Sequence, residues 1–167
     1  MGTKRVGWAR IRSLINENTN LMSIQAKRYV SGTETMTLTA EQSGQTVLVG
    51  AAAAGLAADT IYTLPGASNG LSFKFVYVGN AADAQDFQIS TGADANFLIG
   101  GVTQHDADNA GDDTVVYHPN GSSNSRANFL TPDSGTVVEV WCDGTNWFLA
   151  GTLISATDTG VTFADQS

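Results

Sequence analysis

The sequence predicts an all-β protein, a jelly-roll-like antiparallel β-sandwich preceded by an N-terminal extended or short-helical arm. Charged residues make up only 14% of the 167 residues and glycine occurs 18 times, which suits many short strands joined by tight turns. About eight or nine short β-favouring runs follow one another at near-regular spacing, with no helical pattern between them. This pattern favours a sandwich, and the strand count favours a jelly roll within that class.

The most complete element is a β-hairpin predicted over residues 134–151. Its first strand alternates two sets of side chains, Val137, Glu139 and Trp141 against Val138, Val140 and Cys142. Asp143-Gly144 then marks a tight turn, and apolar residues resume at Trp147. Cys142 is the single cysteine, so no intramolecular disulfide can form, and its place in an apolar strand predicts a small buried side chain.

Further strands are expected on both sides of this hairpin. Those before it are predicted at residues 35–39, 46–49, 61–64, 71–78, 87–89, 96–102 and 114–117, and residues 129–130 lead into the hairpin. The most β-favouring of these segments is predicted to bury one face in the core, formed by Leu71, Phe73, Phe75 and Tyr77. After the hairpin, residues 161–163 are expected to form a last strand or a peripheral tail.

Three connecting segments have distinct compositions. Residues 51–58 are framed by glycines and are expected to form a loop or a short helical turn. Residues 105–113 form an acidic loop, and residues 119–128 are predicted to be a polar loop exposed at one end of the domain.

Charge is sorted along the chain. Before Thr33, six Lys and Arg residues accompany one acidic residue, a net +5, whereas the remainder holds two basic and fifteen acidic residues, a net −13. The sequence therefore divides into a basic N-terminal arm, residues 1–34, and an acidic β-domain, residues 35–167. The acidic surface is expected chiefly to keep the protein soluble, while the arm is expected to bind a partner.

Residues 4–17 predict a short amphipathic helix within this arm. Its apolar side chains lie within an arc of roughly 120° on a helical wheel, flanked by arginines on both sides. A helix this short is marginal alone in water, so it is expected to order against a protein partner. A membrane-surface helix, an RNA-binding arm and a disordered tail are the alternatives, and residues 18–34 are expected to be extended. The residues expected at the partner interface are Arg5, Trp8, Arg10, Ile11, Arg12, Ile15, Lys27, Arg28 and Tyr29.

Patterns typical of catalytic and metal sites are weak. The stretch from Asp106 imitates the opening of an EF-hand calcium loop, but Ala110 and Tyr117 occupy two of the ligand positions. A looser calcium site is the alternative to a solvated loop, and it would draw on Asp106, Asp108, Asp112 or Asp113. His105 and His118 lie outside any zinc-ligand spacing. We therefore expect no enzymatic activity, cofactor or metal.

The sequence also bears on membranes and targeting. No run of about 18 apolar residues occurs, and the apolar residues 47–58 are too short and too rich in Gly and Ala to span a bilayer. The charged N-terminus is not followed by the apolar stretch that a secretory signal carries. Synthesis in the cytoplasm without membrane association is therefore expected.

Three short motifs resemble those of small β-domains in tailed-phage virion proteins, most of all capsid decoration or cement proteins. The hairpin with its DGTNW turn resembles their closing hairpin. Residues 60–65, TIYTLP, resemble their "TLP" strand end, and residues 70–76, GLSFKFV, resemble the strand that follows it. The resemblance covers roughly residues 35–154, and it brings no catalytic residue with it.

The resemblance implies a virion structural protein, made in the host cytoplasm and placed on the outer capsid surface. The expected partner is the major capsid protein of the phage shell, bound through the N-terminal arm, and a homotrimer is expected because decoration proteins are often trimers. Nucleic acid is not an expected partner, because the acidic body would repel phosphate.

A binding module is the alternative class of function. In that hypothesis the chain is the receptor- or carbohydrate-binding tip of a tail or fibre, and it uses exposed loops such as residues 119–128 with an aromatic residue such as Trp147. A fibre tip should follow a coiled or repetitive shaft, whereas this chain has a short basic arm.

Overall fold

Two packed β-sheets form the body of the protein in the computed structural model, which describes residues 7–26, 29–80, 82–108 and 114–166. This arrangement confirms the predicted β-sandwich. A helix precedes the sandwich, α1 (Trp8–Ala26), and a 3₁₀ turn lies at Ala40–Gln42. The described strands are β1 (Tyr29–Gly32), β2 (Met36–Thr37), β3 (Thr46–Val49), β4 (Thr60–Thr63), β5 (Ser72–Tyr77), β6 (Phe87–Ser90), β7 (Leu98–Asp106), β8 (Thr114–Tyr117), β9 (Arg126–Phe129), β10 (Val137–Cys142), β11 (Trp147–Ser155) and β12 (Val161–Ala164).

The strand directions correct the prediction of an antiparallel sandwich. The seven-stranded sheet has the order β1-β3-β5-β10-β11-β7-β8, and the five-stranded sheet has the order β12-β9-β6-β4-β2. From β1 to β7 the chain alternates between the sheets, so that successive strands of one sheet run in the same direction. The pairs β1–β3, β3–β5, β2–β4 and β4–β6 are therefore parallel, as is β7–β11, while the other described pairs are antiparallel. This order does not confirm the jelly-roll topology.

The face predicted to be core is buried. Leu71, Phe73, Phe75 and Tyr77 are each at most 9% exposed, because alternate side chains of β5 point between the sheets. A fully buried side chain of this size stabilises the fold by up to about 3 kcal/mol. The alternation of apolar and polar residues therefore assigned this strand to the correct face.

The predicted hairpin is also confirmed. β10 and β11 pair antiparallel, with Val138 opposite Gly151 and Cys142 opposite Trp147. The carboxylate of Asp143 accepts the N–H groups of Thr145 and Asn146, each at 2.8 Å, and so closes the turn. Cys142 is buried, as its position in the strand predicted.

Several predicted boundaries are wrong. The helix extends beyond residue 17 to Ala26. After the polar residues 16–20, the helix-favouring residues Leu21, Met22, Gln25 and Ala26 support its continuation. β1, expected to belong to an extended arm, pairs with β3 inside the seven-stranded sheet. The loop predicted at 119–128 ends earlier, since β9 begins at Arg126, and β7 continues into the predicted acidic loop as far as Asp106.

One buried hydroxyl joins the first strand to the opposite sheet. Tyr62 of β4 is fully buried, and its hydroxyl donates a hydrogen bond to the carbonyl oxygen of Gly32 at the end of β1. The same carbonyl accepts the N–H of Gly50 at 2.9 Å. Burial raises the pKa of Tyr62 well above its usual range, so the hydroxyl remains a donor at all physiological pH values.

Replacing Tyr62 with phenylalanine should remove this hydrogen bond while the ring remains in the core. We expect the free energy of unfolding to fall by about 1 kcal/mol, since Gly32 keeps its bond from Gly50. Denaturant unfolding would measure the loss, and hydrogen exchange should show faster exchange of the amides of β1. Tyr117→Phe is the control, because its hydroxyl donates to Asp158 at an exposed position. Equal effects of the two variants on β1 would contradict the prediction.

Candidate functional site

The predicted interface residues of the arm lie on an exposed helix. Trp8 is 72% exposed, Ile11 37% and Ile15 55%, and Arg10 and Arg12 are also exposed. Leu14, on the same apolar arc, is 51% exposed. α1 thus presents large apolar side chains with arginines on either side, as the sequence predicted.

The remaining predicted interface residues do not join this helical surface. Tyr29 is 63% exposed, but it lies on β1 at the edge of the seven-stranded sheet. Arg5, Lys27 and Arg28 lie outside the described residues. The structure therefore brings five of the nine predicted residues together on one helix.

Candidate metal-binding groups do not assemble within the described ranges. No group of three or more His, Cys, Asp or Glu side chains that could hold a metal ion occurs there. The backbone N–H of Asp108 donates to Asp106 Oδ1 at 3.2 Å. A side-chain hydrogen bond with Asp106, together with the negative charge of that carboxylate, raises the pKa of the Asp108 carboxyl. Asp112 and Asp113, the other members of the predicted calcium site, lie outside the described residues.

The aromatic residue that the sequence suggested for sugar binding is buried in the core and not exposed to a ligand. Trp147 is fully buried and packs beside Phe73 with the two rings tilted, their centroids 6.2 Å apart. Trp141, on the opposite face of the hairpin, is 44% exposed. The alternation in β10 contained the signal, because a core face of Val138, Val140 and Cys142 turns Trp141 outward.

An open cavity of about 360 Å³ lies beside Trp141 on the outer face of the seven-stranded sheet. It runs over β5, with the indole on the β10 side and the segment 44–45 on the β3 side. Ser72, a small residue directly opposite Trp141 in the register, lies between these walls. The remaining lining residues are Phe73, Lys74, Glu139 and Val140.

Contacts within the protein hold both walls of this cavity in place. The indole of Trp141 stacks on the ring of Phe148 in β11, with centroids 6.0 Å apart and planes 14° from parallel. On the other side, Gly44 donates its N–H to the Ser72 carbonyl at 2.7 Å, and Ser72 donates to Ser43 Oγ at 3.0 Å. The cavity is therefore formed before any ligand arrives.

One ion pair supplies the charge in this cavity. Lys74 Nζ lies 2.9 Å from Glu139 Oε1, and both side chains are about half exposed. Such an exposed pair contributes little to stability. It leaves the lining without net charge, while offering both hydrogen-bond donors and acceptors next to an aromatic surface.

Comparison with protein-family models, with curated proteins and with solved structures finds no match to this chain. Within the described part of the chain, no helix combines the length and the apolar character needed to cross a membrane. The virion resemblance therefore stays a prediction, supported by the three sequence motifs.

The turn that joins Trp141 to Phe148 should make stability depend on pH. The backbone N–H groups of Asn146 and Thr145 lower the pKa of the Asp143 carboxyl below its usual value of about 3.9. Because the pKa of Asp143 is lower in the folded state, the ionised carboxylate stabilises the hairpin fully above the unfolded-state pKa of about 3.9. The contribution is lost as the pH falls through the folded-state pKa.

Asp143→Asn should therefore be less stable than the parent at pH 7, and this difference should shrink below about pH 4. Urea unfolding at a series of pH values would measure it. Asp94→Asn removes the same charge at another exposed position and serves as the control. A difference for Asp143→Asn that stays constant down to pH 2 would refute the role of the carboxylate.

Proposed function

We propose that this protein is a structural component of a tailed-phage virion, a decoration or cement protein on the outer capsid surface. The observation that carries the proposal is the exposed helix α1, with Trp8, Ile11 and Leu14 uncovered beside a well-packed sandwich. Large apolar side chains exposed together are typical of surfaces that bind another protein. The three motifs that resemble virion β-domains support the phage setting.

The helix has the composition of a protein-binding anchor. An indole that fills a pocket in a partner is among the side chains that contribute most to protein–protein affinity. Arg10 and Arg12, exposed on opposite flanks of the apolar arc, can pair with acidic groups of the shell. The partner in this proposal is the major capsid protein, rather than a membrane or a nucleic acid.

Association into a homotrimer would place three copies of this anchoring helix on one assembly. Three arms on one particle can occupy neighbouring shell subunits, so that each further contact forms at a high effective concentration. The gain requires that the three arms reach their sites together. A weak single-arm contact would then suffice for stable decoration, and cross-linking of shell subunits would be the mechanism of stabilisation.

A chain that lacks residues 1–26 should lose shell binding and keep its fold, because it retains β1 and the complete described sandwich. Trp8→Ala should weaken each arm by about 2 kcal/mol if the indole is a central anchor. Both proteins would be mixed with purified phage capsids stripped of decoration protein. Co-sedimentation gives the stoichiometry, and light scattering of the same samples gives the oligomeric mass.

Trp141→Ala is the matched control, because it removes an exposed tryptophan from the body and leaves the arm intact. The proposal requires that this variant saturate capsids like the parent protein. Full binding by the chain without residues 1–26 would show that α1 is not the anchor. Failure of the intact protein to bind capsids would overturn the decoration function.

A further inference from the structure

The cavity beside Trp141 has the features of a small-molecule site. Its volume of about 360 Å³ falls within the range of ligand pockets, and it combines an apolar wall with a few convergent polar groups. The half-exposed indole is held in place from behind by Phe148. A large aromatic surface left open to solvent in an otherwise polar setting is available for stacking.

The charges of the site restrict the chemistry of the ligand. A phosphate or carboxylate would meet Glu139, and an ammonium group would meet Lys74, because the two side chains are 2.9 Å apart. An anionic ligand would also approach a body whose sequence carries a net −13 after residue 32. A neutral ligand rich in hydroxyl groups avoids both costs and can bond to donor and acceptor alike.

We propose that this cavity binds a pyranose ring of a neutral glycan. The ring's C–H face stacks on the indole of Trp141, and its hydroxyls bond to the Lys74 ammonium and the Glu139 carboxylate. Ser72 admits the ring because its small side chain leaves the space between the two walls open. This site is independent of the arm, and it differs from the loop and buried Trp147 that the sequence suggested for sugar binding.

The tryptophan side chains report directly on this proposal. The chain contains three of them, and each gives one indole N–H signal in a ¹⁵N–¹H spectrum: Trp8, Trp141 and Trp147. The methyl pyranosides of glucose, galactose, mannose and N-acetylglucosamine would be titrated separately into the labelled full-length protein. At least one should shift the Trp141 signal saturably, with a Kd in about the millimolar range for one ring in an open site. The signals of Trp8 and Trp147 should stay in place.

Variants test whether the shift of the Trp141 signal arises from binding in this cavity. Trp141→Ala should weaken binding by about tenfold or more, measured through the backbone amides of Gly44 and Ser72, since tenfold corresponds to about 1.4 kcal/mol. Glu139→Gln keeps the stacking surface and should weaken binding less. Trp8→Ala should bind the sugar like the parent protein, although the proposed function requires that it bind capsids less well. Sugar binding and shell binding can therefore fail separately.

Three results would overturn the inference. The first is the absence of a saturable Trp141 shift with all four pyranosides, together with no Trp141-dependent binding to an array of neutral oligosaccharides. The second is a preference for charged probes: binding of methyl glucuronide or choline, without any neutral pyranoside, would show that the ligand class is wrong. A sugar response confined to Trp8 or Trp147 would show that the site is wrong.

Discussion

One buried aromatic ring connects the two sheets, and the rest of the fold depends on its position. Tyr62 of the five-stranded sheet contacts Phe75 of the seven-stranded sheet, with centroids 5.5 Å apart, and Phe87 beside it at 6.2 Å. Phe87 in turn stacks on Phe129 at 4.6 Å. Because the Tyr62 hydroxyl bonds to Gly32, the same ring fixes the strand through which the arm enters the body.

The alternation of the chain between the two sheets explains why both sheets contain parallel pairs. Strands adjacent in sequence, such as β4 and β5, lie in opposite sheets and meet through Tyr62 and Phe75. Up to β6, each return to a sheet places the new strand beside the earlier one in the same direction. Such parallel neighbours have to be joined by a crossover connection, and here the crossover passes through the opposite sheet. Most strands then direct alternate side chains into one shared core, and the other side chains form the outer faces where Trp141 and Lys74 lie.

The alternation of core-facing and outward-facing side chains along each strand was predictable from the sequence, whereas the pairing of the strands was not. Alternation in β5 and β10 assigned the core face correctly, and Asp143-Gly144 located the hairpin turn, because these are local properties of the chain. The direction of β3 beside β5 depends on a connection through the other sheet, which no local pattern contains. The cavity was missed for the same reason: Ser72 and Trp141 are 69 positions apart and become neighbours only through strand register.

The arm and the cavity share one sheet, and this limits how they can act together. Tyr29 pairs with Thr46, Thr46 with Lys74, and Lys74 with Glu139, so one row crosses four adjacent strands. With neighbouring strands about 4.8 Å apart, Tyr29 and Glu139 are separated by about 14 Å. A partner surface that covered Tyr29 and extended along this row would reach the cavity. In the proposed function, shell binding that leaves the cavity open would have to engage α1 and stop at the sheet edge formed by β1.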